Sequence, residues 1–283
     1  MNTAVITTGG LGTRLSTTTK GLPKTMLPLY DKSEDDEPLL RPLIELIFDN
    51  LYDHGFRNFC IIVATNTKTS ILNQLLPDES FIKFLRKRNS FYDKRFIKTL
   101  SKLYKKIDNC KIDWINQSSP MGFGHALLSA KKYVKEQNFL LHAGDTYFPN
   151  YEFLPKLIDM YKKTPDSISS LLLQQKKILK GFGIAQVTRK NNSNIVFNVE
   201  EKPKKPKSNL AILPVYIFQP IIFDALKQTA KGYNKELQVT DAIKTLINWN
   251  QKIIALKMKQ PWFDIGTVEK YHNALNYSYK HSK

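Results

Sequence analysis

Apolar and polar positions in the first half of the chain follow two alternating patterns. Residues 4–8, 59–64 and 139–142 are short, largely apolar runs, which are typical of buried parallel strands. Between these runs, residues 43–51 and 124–135 carry apolar side chains at helical spacing. Strands that alternate with helices predict βαβ units, and therefore an α/β fold with a mixed, mostly parallel sheet flanked by helices.

The pattern changes after residue 165, where strands follow one another with few helices between them. The predicted strands of this half cover residues 168–173, 182–187, 195–199 and 210–218. Helical patterns return at 219–228, at 240–249 and after Gly266. This half is therefore expected to add antiparallel or mixed pairing. We interpret residues 1–283 as a single domain with halves at 1–165 and 166–283.

The composition is that of an ordinary globular protein. Of the 283 residues, 42% are hydrophobic and 24% are charged. The two cysteines, Cys60 and Cys110, lack the spacing of a metal site, so neither a disulfide framework nor a zinc ribbon is expected. A signal peptide and an apolar stretch of membrane-spanning length are both missing from the pattern. We expect a cytoplasmic protein without membrane contact.

Charge is unevenly distributed along the chain. The formal net charge is +18, and residues 79–106 contain many lysines and arginines around a helical apolar stripe. We interpret this stretch as an insertion of two short basic amphipathic helices with a solvated outer face; nucleic-acid or membrane contact is the alternative interpretation. Residues 33–37 form a predicted acidic loop.

The first strand leads directly into a glycine-rich turn, Gly9-Gly10-Leu11-Gly12-Thr13-Arg14. Glycines allow backbone N–H groups to approach phosphates closely, and Arg14 and Lys24 bring two cations to the same segment. The spacing matches neither the dinucleotide-binding fingerprint nor a Walker loop. Taken alone, the turn is equally compatible with a purely structural role.

Further motifs follow this turn in a characteristic order. They are Pro23-Lys24-x-Met26-Leu27-Pro28, Gln117-x-x-Pro120-x-Gly122-x-Gly124-His125-Ala126, Gly144-Asp145, Phe182-Gly183, Glu201-Lys202-Pro203, Ser208-Asn209, Glu236 to Ala242 and Trp262-x-Asp264-x-Gly266-Thr267. Together with the glycine-rich turn, this set resembles the sugar-1-phosphate nucleotidyltransferases from residue 3 to about residue 277. The Gly-x-Gly-His-Ala sequence, residues 19–24 and the helical insertion are most similar to the uridylyl-transferring branch of that family.

The resemblance implies the nucleotide-diphospho-sugar transferase fold and an enzyme that forms UDP-glucose and pyrophosphate from UTP and glucose 1-phosphate. It also implies Mg²⁺ as cofactor and a homo-oligomer, dimer or tetramer. A thymidylyltransferase using dTTP, or an enzyme of relaxed specificity, is the alternative within the family. A non-catalytic regulatory homologue and a nucleic-acid-binding protein are alternatives from other classes; the intact set of charged motif residues argues against the former. We expect no nucleic-acid partner.

The same resemblance assigns roles to individual residues. The triphosphate would be held by Arg14 and Lys24, with nucleotide contacts from Gly9, Gly10, Leu11, Gly12, Thr13, Gln117 and Gly122. The sugar phosphate would be bound by Gly144, Gly183, Glu201, Lys202 and Asn209. Asp145 and Asp264 would hold the metal ion, because hard cations take carboxylate oxygens. Arg14, Lys24 and Lys202 form the catalytic set, since the transfer needs charge stabilisation rather than a side-chain nucleophile.

Two positions are interpreted without a role in binding. Among the departures from the family pattern, which include Ser16, Phe182 and Val268, one pair of residues concerns the base. His125 is expected to pack structurally at a helix start, and Trp262 to belong to the core. Thr7 and Thr8 replace the more usual apolar and small residues before the glycines. Because the backbone there lies near the base in the family, this departure bears most on which base is used.

Overall fold

The structure is a computed structural model. It describes residues 1–10, 12–15, 17–32, 37–119, 121–177, 179–190 and 192–282. Leu11 and Pro120, and the acidic loop apart from Glu37, therefore lie outside the described residues.

Strands, helices and short 3-10 turns alternate along the described chain. The strands are β1 (Thr3–Thr7), β2 (Pro28–Lys32), β3 (Pro38–Pro42), β4 (Asn58–Ala64), β5 (Lys111–Gln117), β6 (Phe139–Ala143), β7 (Thr146–Tyr147), β8 (Ser169–Gln175), β9 (Gly183–Lys190), β10 (Ser193–Glu201), β11 (Leu210–Phe218), β12 (Ile253–Met258) and β13 (Phe263–Asp264). The helices are α1 (Leu43–Asp53), α2 (Lys68–Leu75), α3 (Glu79–Arg88), α4 (Phe91–Asp108), α5 (Phe123–Ser129), α6 (Lys131–Val134), α7 (Phe153–Lys162), α8 (Ile221–Gln228), α9 (Val239–Asn248) and α10 (Val268–His281). The 3-10 turns are Thr13–Leu15, Thr17–Lys20, Lys24–Met26 and Tyr233–Lys235.

The main sheet has the strand order β5-β4-β1-β6-β11-β8-β12-β10-β9. Pairing is parallel from β5 through β4 and β1 to β6, and again between β8 and β12. The other pairs along this order are antiparallel. The mixed α/β class is confirmed, although parallel pairing covers a smaller part of the sheet than the sequence pattern indicates.

Both faces of the sheet are covered, which explains why the central strands are continuous apolar runs. All five residues of β1 are buried. Ile6 packs in one hydrophobic cluster and its neighbour Val5 in the other, because successive strand side chains point to opposite faces. In the part of the chain that the structure describes, no helix is both long and apolar enough to cross a membrane.

The order of the strands predicts a crevice at the carboxyl ends of β1 and β6. From β1 the chain moves outward to β4 and β5, and then returns to place β6 on the opposite side of β1. In open α/β sheets, ligands bind outside the carboxyl ends of the strands at such a reversal. The glycine-rich turn follows β1 and Gly144 follows β6, so both motifs lie at this point.

Several expected elements have different bounds, and others were missed. The predicted helix over 124–135 is interrupted at Ala130 and forms α5 and α6. Strand β5 and the hairpin of β2 with β3 carry no strong sequence pattern and were not predicted.

The basic insertion forms two helices, as expected, but α4 is 18 residues long rather than short. Its start is stabilised by a capping box, in which Ser90 and Asp93 exchange hydrogen bonds between side chain and backbone. The expected apolar stripe is only partly buried: Leu100 and Leu103 pack inward, whereas Phe84 and Phe96 are about half exposed.

Candidate active site

The glycine-rich turn is anchored to β4 before it reaches the crevice. Both the backbone N–H and the hydroxyl of Thr8 donate to the carbonyl oxygen of Ile62, each over 2.8 Å. The hydroxyl of Thr8 is thus engaged with backbone and is buried. Gly10 is exposed, and a Cβ added there would meet no atom within 4 Å. The exposed part of the turn leaves open space for a ligand beside its backbone.

Position 12 requires a glycine. Its φ of +67° is a conformation that other residues rarely adopt, and an added Cβ would lie 2.9 Å from Thr19 Oγ1. The same hydroxyl of Thr19 donates to the carbonyl oxygen of Gly12 over 2.8 Å. This tight turn leads into the 3-10 turn that presents Thr13 and Arg14 at the surface. Arg14 has no ion-pair partner among the described residues.

Gln117 lies directly against the glycine-rich turn. It ends β5, it is buried, and a Cβ on Gly9 would lie 2.4 Å from its Oε1. Its Nε2 donates to Nδ1 of His125 over 3.2 Å, so the amide is oriented from the side opposite Gly9. His125 thus has a structural role beyond packing at the start of α5. It positions the residue expected to recognise the base.

The rest of this loop is held by the segment before α9. Gly122 has a φ of +105°, and an added Cβ would lie 2.6 Å from the carbonyl oxygen of Leu237. That oxygen accepts the N–H of Gly124 over 2.8 Å, and the N–H of Leu237 donates to Met121. The structure thus explains Gly122 by close backbone packing, and it connects the base loop to the second half of the chain.

Strand β6 delivers Gly144 and Asp145 next to the glycine-rich segment. The N–H of Gly144 donates to the carbonyl oxygen of Thr7 over 2.8 Å, and a Cβ there would lie 2.6 Å from Thr25 Cγ2. Only glycine permits this approach of β6 to β1. Asp145 follows, and its carboxylate forms a 3.0 Å ion pair with Nζ of Lys24.

Asp264 is brought to the same place by the small sheet of β7 and β13. Asp264 lies opposite Thr146 in the antiparallel pair, and the N–H of Ile265 donates to the carbonyl oxygen of Asp145 over 2.8 Å. The Asp264 carboxylate forms a 2.6 Å ion pair with Nζ of Lys270. Lys270 carries no motif signal in the sequence and was not predicted.

The chemistry of these two aspartates fits a divalent metal ion of the Mg²⁺ type. Carboxylate oxygens are the protein ligands that Mg²⁺ prefers, and it commonly takes one or two of them together with substrate phosphates. Within the described ranges, no group of three or more histidine, cysteine, aspartate or glutamate side chains has metal-binding geometry. Asp145 and Asp264 would therefore hold such an ion together with oxygens of a substrate.

Glu201 and Lys202 form the other end of the site. Glu201 ends β10 opposite Gly183, and a Cβ on Gly183 would lie 3.1 Å from Glu201 Oε2 and 2.8 Å from Thr240 Oγ1. Lys202 has a φ of +44°, donates its N–H to the carbonyl oxygen of Phe182, and forms a 3.0 Å ion pair with Glu201. Because Gly183 has no side chain, the Glu201 carboxylate has space beside the start of α9.

Asp241 lies beside Glu201, and Asn209 lies beside Lys176. Burial and the charge of Glu201 raise the pKa of Asp241, whose Oδ2 is buried without a hydrogen-bond partner in the described part of the chain. Asn209 is exposed, and its carbonyl oxygen accepts the N–H of Lys176 over 2.9 Å. Trp262 is buried and donates from its indole to Gln174 over 2.7 Å, which confirms that it belongs to the core.

Contacts in the described part of the chain therefore link four of the predicted site residues, Lys24, Asp145, Asp264 and Lys202, into one continuous set. Lys24 connects the glycine-rich segment to Asp145, Asp145 connects to Asp264 through β7 and β13, and Phe182 connects Lys270 with Lys202. Leu11 lies outside the described residues.

Comparison with known proteins gives a consistent family assignment. The family model for nucleotidyl transferases matches residues 3–280. A UTP–glucose-1-phosphate uridylyltransferase of Bacillus subtilis is 32% identical, with 93% of this chain and 86% of the relative covered. A protein of the same name from Mycoplasma pneumoniae is 30% identical, with 97% and 91% covered. The chain belongs to the nucleotidyl transferase family.

Solved structures agree with this assignment. A crystal structure of UDP-glucose pyrophosphorylase complexed with UDP-glucose has a TM-score of 0.83 and 25% identity, with 99% of both chains covered. A thymidylyltransferase structure from Bacillus anthracis has a TM-score of 0.73 and 19% identity, over 98% of this chain and 95% of the other, which supports the shared fold alone. The expected nucleotide-diphospho-sugar transferase fold is confirmed.

Proposed function

We propose that this enzyme transfers a uridylyl group from UTP to glucose 1-phosphate and releases pyrophosphate. The observation that carries the proposal is the junction of Asp145 and Asp264 through β7 and β13. This junction lies next to Lys24 on the nucleotide side and, through Lys270 and Phe182, next to Lys202 on the sugar side. Such an arrangement suits two anionic substrates that must meet at one phosphorus atom. The names of the relatives support uridylyl transfer in particular.

The residues of the nucleotide side would bind and orient UTP. Arg14 is exposed without an ion-pair partner in the described part of the chain, and Lys24 is poised at Asp145. Their charges would offset those of the triphosphate, with backbone N–H groups of Gly10 and Gly12 beside them. Gln117, held by His125, would hydrogen-bond the uracil edge.

The residues of the sugar side would bring the attacking group into line. Lys202 would bind the phosphate of glucose 1-phosphate, and Glu201 would accept hydrogen bonds from the sugar hydroxyls. A phosphate oxygen of the sugar then attacks the α-phosphorus, the bond from that phosphorus to the β-phosphate bridge breaks, and pyrophosphate leaves. Catalysis of this step is mostly positioning and electrostatic stabilisation, so no protein nucleophile is required.

Asp145 and Asp264 would hold Mg²⁺, which supplies positive charge to the reacting phosphates when bound.

We further propose that residues 1–165 and 166–283 act as the nucleotide and sugar-phosphate halves of one domain. We propose a homo-oligomer on the family resemblance. We propose a cytoplasmic location because the two free cysteines, Cys60 and Cys110, suit a reducing compartment. Light scattering after size-exclusion chromatography tests the oligomer.

The substrate assignment is tested by pyrophosphate release with each nucleotide and sugar phosphate. UTP with glucose 1-phosphate is expected to give the highest kcat/KM. A higher kcat/KM for dTTP would contradict uridylyl specificity, and a higher value for galactose 1-phosphate would contradict the sugar assignment. The Asp145→Asn variant, assayed in parallel, controls for contaminating activity.

A further inference from the structure

Two lysines flank a pair of aromatic rings on the sugar side of the crevice. Phe182 and Trp262 pack edge to face with ring centroids 5.8 Å apart. Nζ of Lys270 lies 5.7 Å from the centroid of Phe182, and Nζ of Lys176 lies 5.1 Å from the Trp262 ring. The two ammonium groups are thus held above adjacent rings, although they come from distant parts of the chain.

The surroundings of Lys176 suit an anionic ligand. Lys176 is half-buried, and in the described ranges no carboxylate forms an ion pair with it. Burial and the positive charge of Lys270 lower the pKa of Lys176. Two neighbouring like charges without a shared counter-ion repel each other, and a doubly charged phosphate between them would remove that repulsion.

Lys270 has a second relationship that links it to the metal site. Its Nζ lies 2.6 Å from Oδ2 of Asp264, so this carboxylate already has a cationic partner before any metal ion binds. A divalent ion at Asp264 would have to compete with the ammonium group for the same oxygen. A phosphate that attracts Lys270 would release the carboxylate.

We propose that Lys176 and Lys270 bind the phosphate group of the incoming sugar phosphate, and that Lys270 leaves Asp264 as it does so. The proposal rests on the proposed function of the site and adds two binding residues to it. It makes metal binding depend on substrate: the free enzyme binds a divalent ion weakly, and the sugar phosphate strengthens that binding.

Kinetics of single variants test the phosphate contact. Lys270→Gln and Lys176→Gln are each expected to raise KM for glucose 1-phosphate about 10-fold or more, since each removes a charge-assisted hydrogen bond. KM for UTP is expected to change less than about 3-fold, and Lys176→Arg is expected to restore most of the loss. Lys280→Gln, an exposed lysine on the same helix as Lys270, is the matched control. An equal rise in both KM values would overturn the assignment.

Binding of Mn²⁺ tests the exchange without turnover. Electron paramagnetic resonance measures the concentration of free Mn²⁺ in the presence of the enzyme without substrates. Lys270→Gln is expected to bind Mn²⁺ at least about 3-fold more tightly than the wild type, because Asp264 has lost its competitor. The double variant with Asp264→Asn is expected to lose that gain.

The two readouts move in opposite directions for Lys270→Gln: weaker sugar-phosphate binding and stronger metal binding. A variant that is merely misfolded would weaken both. Unchanged or weaker Mn²⁺ binding by Lys270→Gln overturns the exchange, even if the kinetic effect is present. Absence of wild-type turnover with UTP and glucose 1-phosphate would refute the proposed function, whereas the Mn²⁺ comparison would still decide the exchange.

Discussion

The burial of His142 predicts how much stability the protein loses at acidic pH. This histidine lies fully buried on β6, three residues before Asp145. Its Nδ1 donates to the carbonyl oxygen of Ala143 over 2.8 Å, and its Nε2 accepts from the hydroxyl of Tyr151 over 2.9 Å. Burial lowers the pKa of His142 to about 4, although Ala143 and the charge of Asp145 act in the opposite direction.

The sign of the effect follows from which state binds the proton. Below about pH 6.5 the unfolded chain protonates this histidine, whereas the folded protein keeps it neutral until about pH 4. The contribution of neutral, buried His142 to the free energy of unfolding is therefore complete above pH 6.5, and it is lost as the pH falls toward 4. One pKa unit corresponds to about 1.36 kcal/mol, so the full loss is about 3 kcal/mol, of which about 2 kcal/mol has occurred at pH 5.

Urea unfolding of the wild type and of His142→Gln at pH 7.5 and pH 5 measures this term. The variant is less stable at pH 7.5, because it loses packing and hydrogen bonds. The stability difference between wild type and variant is expected to narrow by about 2 kcal/mol at pH 5. His272→Gln, an exposed histidine on α10, should show no such narrowing. A difference for His142→Gln that is the same at both pH values would refute the reasoning.

Three further predictions concern the site. Asp145→Asn and Asp264→Asn are each expected to reduce kcat at least about 100-fold with an unchanged circular dichroism spectrum, because each removes a metal ligand; near-normal activity in both would exclude the metal site. Gly9→Ala is expected to raise KM for UTP several-fold, since its Cβ would lie 2.4 Å from Gln117 Oε1; an unchanged KM would show that Gln117 does not bind the base. Gly144→Ala is expected to lower the free energy of unfolding by about 1–3 kcal/mol through overpacking against Thr25 and backbone; wild-type stability in urea would contradict the packing.

Much of the fold could be predicted from local pattern. The central strands β1, β4 and β6 have continuous apolar runs because both faces of the sheet are covered. Strand β5 was missed, since Asp113 and Asn116 interrupt its pattern near one edge of the sheet. The single helix expected over 124–135 is two, because Ala130 ends α5 and begins α6 without any glycine or proline to mark the break.

The candidate site could be predicted only as a set of residues. Lys24 and Asp145 were both expected, but their ion pair joins positions 121 residues apart. The structural role expected for His125 includes a hydrogen bond with Gln117 that no local sequence pattern indicates. Lys270 was missed, since one lysine in a basic chain has no distinguishing pattern until its contact with Asp264 is seen.

The sequence by itself determined the strands that bury both faces, the glycines that permit close backbone approach, and the order of the charged motifs. Each of these depends on local periodicity or on the steric freedom of single residues. Tertiary structure alone decided which charges meet. The order of the sheet and the register of β7 with β13 place Asp145 and Asp264 together and set a lysine against each of them. Such convergence depends on long-range packing, which no local pattern of side chains specifies.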